Sequence, residues 1–442
     1  MKRSFFAFAL ILFLIASCIP GTPEEPTPDN LTPRPKSLVV DPGKELGPIS
    51  PYIYGSNYGP WTAVPVNMLQ AALDSHITVL RWPGGAWGDA NDIQSYQLDK
   101  FMAFCKQMGA IPTINVRLKN SSPAAAAALV KYANVDMKYG IQYWGIGNEP
   151  TLFEAEMKQT YDTAVFNPEW RAIAEAMKAA DPKIKIMGPE LHQWGTSLET
   201  TLKDSSGRDW MTEFLKANGD LVDIITVHRY PLYSASGQTF SVEDLRRNTL
   251  EWTDMVTYLR ELIKTTAGRE IPIAFTEVNS TPAAVFNGIA TPDSFYNAIW
   301  YADVLGRLIQ QNVFMVNQFV LANRTGGLGL IYNSEIRPMY YVFQMYHHFG
   351  NEKVYAVSGT LDVTVYAAKR EDGTLTIMVI NLADNEQTMS LQIQGKTSRK
   401  AEVWRFDATH NAEDLGQQSM SPDGVLVLPA QSISLYAISQ HE

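Results

Sequence analysis

The chain has 442 residues, of which 45% are hydrophobic and 19% are charged, and its formal net charge is -10. This is the balance of an ordinary globular protein, and the length suits a large domain with a smaller companion. No stretch of the sequence is strongly basic, which argues against nucleic acid as a partner. Aromatic residues make up 11% of the chain, which is compatible with sugar stacking, although most of these rings are expected in the core.

The first residues have the features of an export signal. Lys2 and Arg3 precede an apolar run at residues 5–15, which is too short to cross a membrane as a stable helix. We therefore expect a signal peptide at residues 1–17. No later segment approaches the length of an apolar membrane span.

Cys18 follows small residues in a pattern that resembles a bacterial lipobox, in which the cysteine is lipidated and becomes the new N-terminus. The alternative is ordinary signal-peptidase cleavage near Ala16 and Ser17, which would leave Cys18 without a function. Residues 18–36 are rich in Pro and Thr and lack an apolar period, so we expect a tether. The sequence thus predicts an exported protein that is lipid-anchored at the bacterial cell surface or envelope, or otherwise secreted.

Residues 49–349 alternate short apolar runs with longer amphipathic segments, which predicts parallel strands joined by helices. An open, doubly wound sheet would also alternate, but eight such units favour a closed (β/α)8 barrel. The predicted strands are residues 53–57, 78–82, 112–117, 143–148, 184–188, 224–230, 273–277 and 314–320. Asn167-Pro168-Glu169 and Thr291-Pro292-Asp293 each predict the start of a helix. Cys105 lies on the apolar face of another predicted helix, where a buried free thiol is expected.

From residue 350 the hydrophobic period changes to two, which is typical of antiparallel strands. We expect a β-sandwich domain at residues 350–442. Residues 37–48 precede the barrel, and their apolar start at Ser37-Leu38-Val39-Val40 predicts one more strand, which we expect to join that sandwich.

Two of the predicted barrel strands end in a glutamate, at the barrel face where active sites lie. The fourth strand leads into Gly147-Asn148-Glu149-Pro150, and the seventh leads into Thr276-Glu277-Val278-Asn279. Cleavage of a glycosidic bond needs one carboxylic acid that donates a proton to the leaving oxygen and one carboxylate that attacks the anomeric carbon. Strands four and seven face each other across a barrel mouth, so Glu149 and Glu277 would flank one bond.

The Gly-Asn-Glu-Pro ending and the later Glu resemble clan A glycoside hydrolases. The layout of barrel and sandwich over residues 37–440 resembles families 51 (arabinofuranosidases), 44 and 39. This resemblance implies that Glu149 is the general acid/base and Glu277 is the nucleophile. It also implies that Asn148 hydrogen-bonds the 2-hydroxyl of the sugar.

Two further segments carry the same resemblance. Arg81 begins an Arg-aromatic-Pro-Gly-Gly motif at the end of the second strand, where it would hold the nucleophile ionised. The alternative is a structural arginine paired with a buried barrel acid. The sixth strand ends in His228-Arg229-Tyr230, where clan members place a His and a Tyr beside the nucleophile. Tyr230 is the predicted hydroxyl donor to Glu277, with simple packing of its ring as the alternative.

Other side chains near predicted strand ends are candidates for sugar contacts, although each ring is explained equally well by packing. The predicted substrate-binding residues are completed by Asn57, Trp82, Trp87, His192 and Gln318, and further rings on the same loops are Tyr58, Trp61 and Trp194. No dinucleotide, phosphate-loop or Gly-x-Ser-x-Gly motif is present, and no His or Cys cluster has metal-ligand spacing. We therefore predict no cofactor and no catalytic metal; the sequence leaves a structural calcium open.

The sequence thus predicts a retaining glycoside hydrolase with a carbohydrate substrate from plant-type polysaccharides or oligosaccharides. It departs from the arabinofuranosidase pattern at Ala86, where that family usually has Asn, and at Val278, where an aromatic residue is common. An arabinofuranoside is consequently one option beside β-1,4-glucan, xyloglucan and xyloside. The alternative function is a non-catalytic, surface-anchored carbohydrate-binding protein on the same barrel.

Overall fold

The computed structural model of the protein describes residues 33–232, 240–395, 400–421 and 423–439. The predicted signal peptide, Cys18 and most of the predicted tether lie outside the described residues. Within the described ranges, no helix is both long and apolar enough to cross a membrane. The free thiol of Cys105 is buried, as predicted.

The first strand, β1 (Ser37–Pro48), belongs to the C-terminal sheet, and the next eight strands form a closed parallel barrel. Each barrel strand pairs with the next in chain order, and the last pairs with the first. The barrel strands are β2 (Gly55–Asn57), β3 (Val79–Trp82), β4 (Ile111–Val116), β5 (Tyr143–Ile146), β6 (Lys185–Leu191), β7 (Ile224–Arg229), β8 (Ile273–Val278) and β9 (Met315–Gln318). All eight predicted strands are present, and the predicted (β/α)8 fold is confirmed.

The helices surround this barrel and bury an apolar face against its strands. They are α1 (Leu69–Leu73), α2 (Trp87–Ala90), α3 (Ser95–Met108), α4 (Pro123–Val130), α5 (Phe153–Met157), α6 (Thr163–Ala180), α7 (Trp210–Asn218), α8 (Val242–Asn248), α9 (Glu251–Ala267), α10 (Phe295–Gln310) and α11 (Tyr340–His347). A π-helical segment (Lys131–Asp136) continues α4, and short 3-10 helices lie at Val66–Met68 and Pro150–Leu152.

Both predicted helix starts were wrong in position. α6 begins at Thr163, because the side chain of Asp162 accepts hydrogen bonds from the first free backbone N–H groups, and Pro168 lies inside the helix. The buried face of α6 begins before the proline and includes Phe166 and Trp170, so packing stabilises the helix through it. α10 begins after its cap Ser294, three residues beyond the predicted start.

The remaining strands form two sheets. β10 (Ala322–Asn323), β11 (Ile331–Tyr332) and β12 (Glu335–Ile336) make a small sheet beyond the last barrel strand. The large sheet adds to β1 the strands β13 (Glu352–Ser358), β14 (Val363–Lys369), β15 (Leu375–Asn381), β16 (Gln387–Ile393), β17 (Lys400–Phe406), β18 (Asn411–Ser419), β19 (Val425–Leu428) and β20 (Ser432–Ile438).

This nine-stranded sheet has the order β18-β17-β20-β15-β14-β13-β1-β16-β19. β1 pairs antiparallel with β13 and parallel with β16, so the strand that precedes the barrel in the chain belongs to the C-terminal sheet. One apolar cluster joins Leu38 of β1 to Ile377, Val403 and Leu426 of other strands, because the sheet folds over its own core. The predicted β-sandwich with an N-terminal strand is confirmed.

α10 makes a buried polar contact between the barrel and the large sheet. The buried carboxylate of Asp303 accepts hydrogen bonds from Thr364 and Tyr366 of β14, each at 2.6 Å. Arg307, one turn further along α10, donates to the other oxygen of Asp303 at 2.9 Å. Gly306 lies between them on the same helix, and a Cβ atom there would meet the ring of Tyr366 at 2.3 Å. The absence of a side chain at Gly306 therefore sets how closely the helix approaches the sheet.

We predict that Gly306→Ala destabilises the protein. Ala normally stabilises a helix relative to Gly by about 1 kcal/mol. Here the added methyl group would collide with Tyr366, and overpacking costs about 1–3 kcal/mol. The melting temperature should therefore fall, whereas the control Gln310→Ala at the end of the same helix should change it little. A melting temperature for Gly306→Ala at or above that of the wild type would contradict this packing.

Candidate active site

The C-terminal ends of five barrel strands bring ionisable side chains to one buried place. Arg81 lies on β3, Glu190 on β6, His228 on β7 and Glu277 on β8. Glu149 follows β5 directly after Gly147 and Asn148. Only Glu149 has appreciable solvent contact, with 20% of its side chain exposed. The other four are almost completely buried, so their charges interact strongly across the pocket.

The guanidinium of Arg81 is the central donor of this pocket. Its Nη1 donates to Glu277 Oε1 at 2.9 Å and to Asn57 Oδ1 at 2.8 Å. Its Nη2 donates to Asn148 Oδ1 at 2.8 Å and to Glu190 Oε2 at 3.1 Å. Burial opposes the charged form, but the two carboxylates outweigh it and raise the pKa of Arg81 above its usual value. Arg81 therefore fixes the positions of four side chains from other strands.

The second oxygen of Glu277 accepts a hydrogen bond from Tyr230, with an O–O distance of 2.6 Å. Tyr230 is buried, and both burial and the charge of Glu277 raise the pKa of its hydroxyl well above its usual value. The tyrosine consequently stays a neutral donor throughout the physiological range. Glu277 thus faces one cationic and one neutral donor, which leaves its carboxylate oriented toward the pocket.

His228 lies between three carboxylates. Its Nδ1 is 2.9 Å from Glu149 Oε1 and 3.7 Å from Glu277 Oε2, and its Nε2 is 3.0 Å from Glu190 Oε2. Burial alone would lower the pKa of His228, but the charges and hydrogen bonds of these carboxylates raise it to about 9. The imidazole is therefore cationic at neutral pH.

The same contacts act on the carboxyl groups. Burial alone would raise the pKa of Glu149, but the hydrogen bond and charge of His228 lower it below the usual value. Burial also opposes ionisation of Glu190, but Arg81 and His228 lower its pKa to about 2. In the structure as it stands, the proton that these groups share therefore resides on His228.

A carboxylate oxygen of Glu149, one of Glu277 and a ring nitrogen of His228 all lie within 4.8 Å of one another. Such a spacing is also compatible with metal ligation. Arg81 and the cationic His228 already supply the positive charge that these carboxylates need, and Tyr230 occupies one of their acceptor positions. The chemistry of the group is therefore that of two adjacent carboxyls with an internal proton donor.

The turn that carries Asn148 and Glu149 is fixed by a buried aspartate from α2. Asp89 accepts from the backbone N–H of Asn148 at 2.5 Å, and its other oxygen accepts from Leu118 at 2.7 Å. Burial raises the pKa of Asp89 to about 6, although these backbone hydrogen bonds oppose the shift. Glu149 also donates its N–H to the backbone oxygen of Glu190 at 2.9 Å.

The backbone of Glu149 has φ 54° and that of Glu190 has φ 59°. This left-handed conformation costs a residue with a side chain roughly 1 kcal/mol or more, and it persists where surrounding contacts determine it. Both residues lie at strand ends in the pocket, so the strained backbone aims each carboxyl inward.

Asn148 has a free group at the centre of the pocket. Its side-chain oxygen is held by Arg81, but its Nδ2 is buried and lacks a partner among the described residues. A buried donor without an acceptor costs about 1–3 kcal/mol. This amide is therefore ready to donate to a ligand.

An aromatic wall lies beside Glu277. Phe319 packs edge-on against Tyr230, with ring centres 6.5 Å apart, and stacks on Trp61 at 6.4 Å. A Cβ atom at Gly85 would be 3.3 Å from Phe319 and 3.9 Å from Glu277 Oε1, which places this wall at the pocket. Trp61 is 38% exposed, so part of this residue is accessible to a ligand.

Several predicted substrate contacts lie elsewhere. Trp82 is buried against Phe101 of α3, with ring centres 5.2 Å apart, so it packs between barrel and helix. Gln318 is fully buried and donates to the backbone oxygen of Leu328, so it supports a loop. Trp194 is likewise buried. These three residues were predicted from their position in the chain, which does not reveal to which side of a strand or loop a side chain points.

The other predicted contacts are closer to the pocket. Asn57 accepts from Arg81 and donates to the backbone oxygen of Thr276, so it helps to hold Arg81 in place. His192 is half-buried, with Nδ1 2.6 Å from the hydroxyl of Thr151, and burial lowers the pKa of its ring below the usual value. Trp87 opens α2, two residues before Asp89, and is half-buried.

Sequence reasoning missed two residues of this site, Glu190 and Asp89. The only signal for Glu190 is that Gly188-Pro189-Glu190 ends the fifth barrel strand, where a carboxylate is expected to face the pocket. Asp89 follows the Gly-Gly segment without a recognisable motif. Its role depends on a contact with Asn148, a residue distant in the sequence, which no local pattern reveals.

The barrel, the sandwich and the paired carboxyls define a clan A glycoside hydrolase. Residues 127–394 match the family model "Glycosyl hydrolases family 39". Because this match covers more than half of the chain, the protein belongs to glycosyl hydrolases family 39 and is a glycosidase. The predicted resemblance to this clan is confirmed, and membership favours the enzyme over the non-catalytic alternative. A comparison with curated protein sequences found no match.

Three solved enzyme structures illustrate the shared fold. A bifunctional glucanase-xylanase from a metagenome library has 17% identity and a TM-score of 0.72, covering 92% of this chain and 100% of its own. An alpha-L-arabinofuranosidase from Thermotoga maritima has 19% identity and a TM-score of 0.70, covering 91% and 99%. A family 44 xyloglucanase from Paenibacillus polymyxa has 16% identity and a TM-score of 0.70, covering 91% and 99%. At these identities the likeness shows the shared fold.

We predict that Asp89→Asn lowers activity without unfolding the protein. The asparagine keeps the shape of Asp89 but presents an N–H₂ group toward one of the backbone donors that the carboxylate now accepts. The turn bearing Glu149 should shift, and a displacement of this kind costs about tenfold or more in kcat. Asp92→Asn, at an exposed carboxylate of the same loop, is the control, and steady-state rates with circular dichroism make the comparison. Equal kcat for both variants would contradict the positioning of this turn by Asp89.

Proposed function

We propose that the protein hydrolyses glycosidic bonds with retention of anomeric configuration, with Glu149 as acid/base and Glu277 as nucleophile. The observation that carries this proposal is the distance between the two carboxyls, whose facing oxygens lie within 4.8 Å. Retaining glycosidases place these groups about 5–5.5 Å apart, whereas inverting enzymes need about 6.5–9.5 Å to admit a water molecule. This separation supports the retaining arrangement over the inverting one.

In the first step, a Glu277 oxygen attacks the anomeric carbon while the bond to the leaving oxygen breaks. The leaving oxygen takes a proton from Glu149, and a covalent glycosyl ester on Glu277 remains. Arg81 and Tyr230 hold the carboxylate for this attack. The carboxylate loses its negative charge as the ester forms and regains it when the ester breaks. The same two donors therefore also stabilise Glu277 as the leaving group of the second step.

In the second step, Glu149 accepts a proton from water as that water attacks the anomeric carbon. The ester bond to Glu277 breaks, the sugar leaves with its original configuration, and both carboxyls return to their starting state. The free Nδ2 of Asn148 is the proposed donor to a sugar hydroxyl, since it is buried beside both carboxyls and lacks a partner among the described residues. A hydrogen bond that strengthens in the transition state would contribute to the rate.

For the substrate, we propose a plant-type polysaccharide or oligosaccharide. The partial exposure of Trp61 beside the pocket supports stacking on a sugar ring. The solved structures with this fold are named for glucan, xylan, xyloglucan and arabinofuranoside substrates, so an arabinofuranoside, a β-1,4-glucan, a xyloglucan and a xyloside all stay candidates. Product analysis on a panel of these four classes would choose among them.

We predict that Glu277→Ala loses activity on an aryl glycoside by about a thousandfold or more, since the nucleophile is removed. Azide should fit the space left by the carboxyl, attack the anomeric carbon and restore turnover. The product would be a glycosyl azide of inverted configuration, which NMR identifies. Unchanged hydrolysis by Glu277→Ala, or rescue that yields only the hydrolysed sugar, would contradict the nucleophile role.

We predict that the loss in Glu149→Ala depends on the leaving group, because a good leaving group needs little protonation. General acid catalysis contributes about 100-fold or more for poor leaving groups. The kcat/KM of the variant should therefore fall much less for a dinitrophenyl glycoside than for an alkyl glycoside or a disaccharide. Equal losses across that series would reject the acid role.

We further propose that the protein is exported and lipid-anchored through Cys18, as the lipobox-like sequence suggests. Mass spectrometry of the mature protein should show a diacylglyceryl group on an N-terminal Cys18, and Cys18→Ser should abolish it. A mature N-terminus near Ala16 or Ser17 without lipid would reject the anchor in favour of ordinary cleavage.

A further inference from the structure

Glu190 is a third carboxylate in the pocket, and neither step above uses it. It is fully buried at the end of β6. Its Oε2 contacts Arg81 at 3.1 Å and His228 at 3.0 Å, and it accepts from the hydroxyl of Thr276 at 2.6 Å. Its other oxygen lacks a hydrogen-bond partner among the described residues. Three donors on one oxygen fix the orientation of this buried carboxylate. In this orientation Glu190 Oε2 lies within hydrogen-bond distance of His228 Nε2.

His228 connects this carboxylate to the acid/base. The two ring nitrogens contact different carboxyls, Nε2 with Glu190 and Nδ1 with Glu149. A neutral imidazole carries one N–H, and its position is set by the hydrogen bond of the other nitrogen. Because Glu190 accepts at Nε2, the proton on Nε2 stays there in either charge state. Nδ1 is then the nitrogen that exchanges a proton with Glu149.

We propose that Glu190, His228 and Glu149 form a proton relay in which His228 stores the proton of the general acid and Glu190 is the positioning residue that fixes its tautomer. The proposal rests on the assignment of Glu149 as acid/base. It explains how a carboxyl that is ionised beside a cationic histidine delivers a proton at neutral pH.

His228 and Glu149 together give up one proton and regain one proton over one catalytic cycle. Substrate binding covers the exposed part of Glu149, which disfavours its charge, and the proton moves from His228 Nδ1 to Glu149 Oε1. Glu149 then gives this proton to the leaving oxygen, while His228 stays neutral with its Nε2–H on Glu190. In the second step Glu149 takes a proton from the attacking water. When product leaves, that proton returns to His228, and no other donor or acceptor is needed.

Several groups besides Glu190 influence His228. Glu149 and Glu277 face its Nδ1 side, Arg81 faces Glu190 and Glu277, and His192 lies beyond Glu149. Substitution of Glu149 or Glu277 would remove a proposed catalytic group. Substitution of Arg81 would disturb Glu190 and Glu277 together, because Arg81 binds both. Glu190 is consequently the group whose charge can be changed while both proposed catalytic carboxyls are kept.

The test is the pH dependence of kcat/KM for Glu190→Gln on a substrate with a poor leaving group. Loss of one negative charge beside His228 weakens the binding of the shared proton, so the alkaline limb should move to lower pH by about one unit or more. Glu190→Asp keeps the charge and should leave the limb near that of the wild type, even if the rate falls. Asp89→Asn is the matched control for disturbance of the same strand ends, and it should lower kcat without moving the alkaline limb.

A second measurement reports the relay independently of turnover. The chain has 7 histidines, so selective ¹⁵N labelling of imidazole gives few signals, and His228→Gln assigns the one of interest. In the wild type, His228 should be an imidazolium at pH 7 and titrate near pH 9, with Nε2 keeping its proton above that pH. In Glu190→Gln its titration should move to lower pH.

An unchanged alkaline limb together with an unchanged His228 titration in Glu190→Gln would overturn the relay and leave Glu190 with a structural role. This result differs from failure of the proposed function. If Glu149→Ala shows no dependence on the leaving group, the acid assignment fails, and the relay fails with it for lack of a recipient. If Glu149→Ala behaves as predicted while Glu190→Gln matches Asp89→Asn in both measurements, only the relay is overturned.

Discussion

The buried guanidinium of Arg81 is the interaction on which the active site depends. It joins β3 to Asn57, Asn148, Glu190 and Glu277, which come from four other strand ends. Without this cation, two buried carboxylates would face each other with only His228 between them. Removing one partner of a buried ion pair leaves an uncompensated charge and is strongly destabilising. The pocket is therefore a single electrostatic unit, in which Arg81 and His228 balance the carboxylates.

The barrel supplies the geometry for this unit. Parallel strands deliver their C-terminal residues to one face, and the closed sheet fixes the distance between opposite strands. The turn after β5 is then aimed by Asp89 and by the backbone of Glu190, with Glu149 and Glu190 in left-handed conformations. Scaffold rigidity holds the two catalytic candidates at a separation that suits a covalent intermediate. The proposed function and the local backbone strain thus involve the same residues.

Much of this arrangement follows from the sequence, because it depends on short-range patterns. Apolar runs of strand length gave the eight barrel strands, and their ends carry Arg81, Glu149, Tyr230 and Glu277, which the structure brings together. The helix starts near Pro168 and Pro292 were misplaced for different reasons. Packing extends α6 through Pro168, whereas α10 begins beyond Pro292 because the side chain of Ser294 caps it. β18 has no recognisable strand pattern in the sequence, because its residues are mostly exposed and polar and lack an apolar alternation.

The rest of the site depends on contacts that are distant in sequence. Glu190 acquires its role from Arg81 and His228, and Asp89 from a backbone N–H beside Glu149. Trp82 and Gln318 have suitable chemistry and chain positions, yet a one-residue difference along a strand decides whether a side chain faces the pocket or the surrounding layer. Neither propensity nor spacing carries that information.

The central claim, that Glu149 and Glu277 act as a retaining pair, is tested most directly by the configuration of the first product. Proton NMR during early hydrolysis of a glycoside of known anomeric configuration distinguishes the initial sugar from its mutarotated form. We predict that the first hemiacetal has the configuration of the substrate, because two displacements occur at the anomeric carbon. A first product of inverted configuration would contradict it.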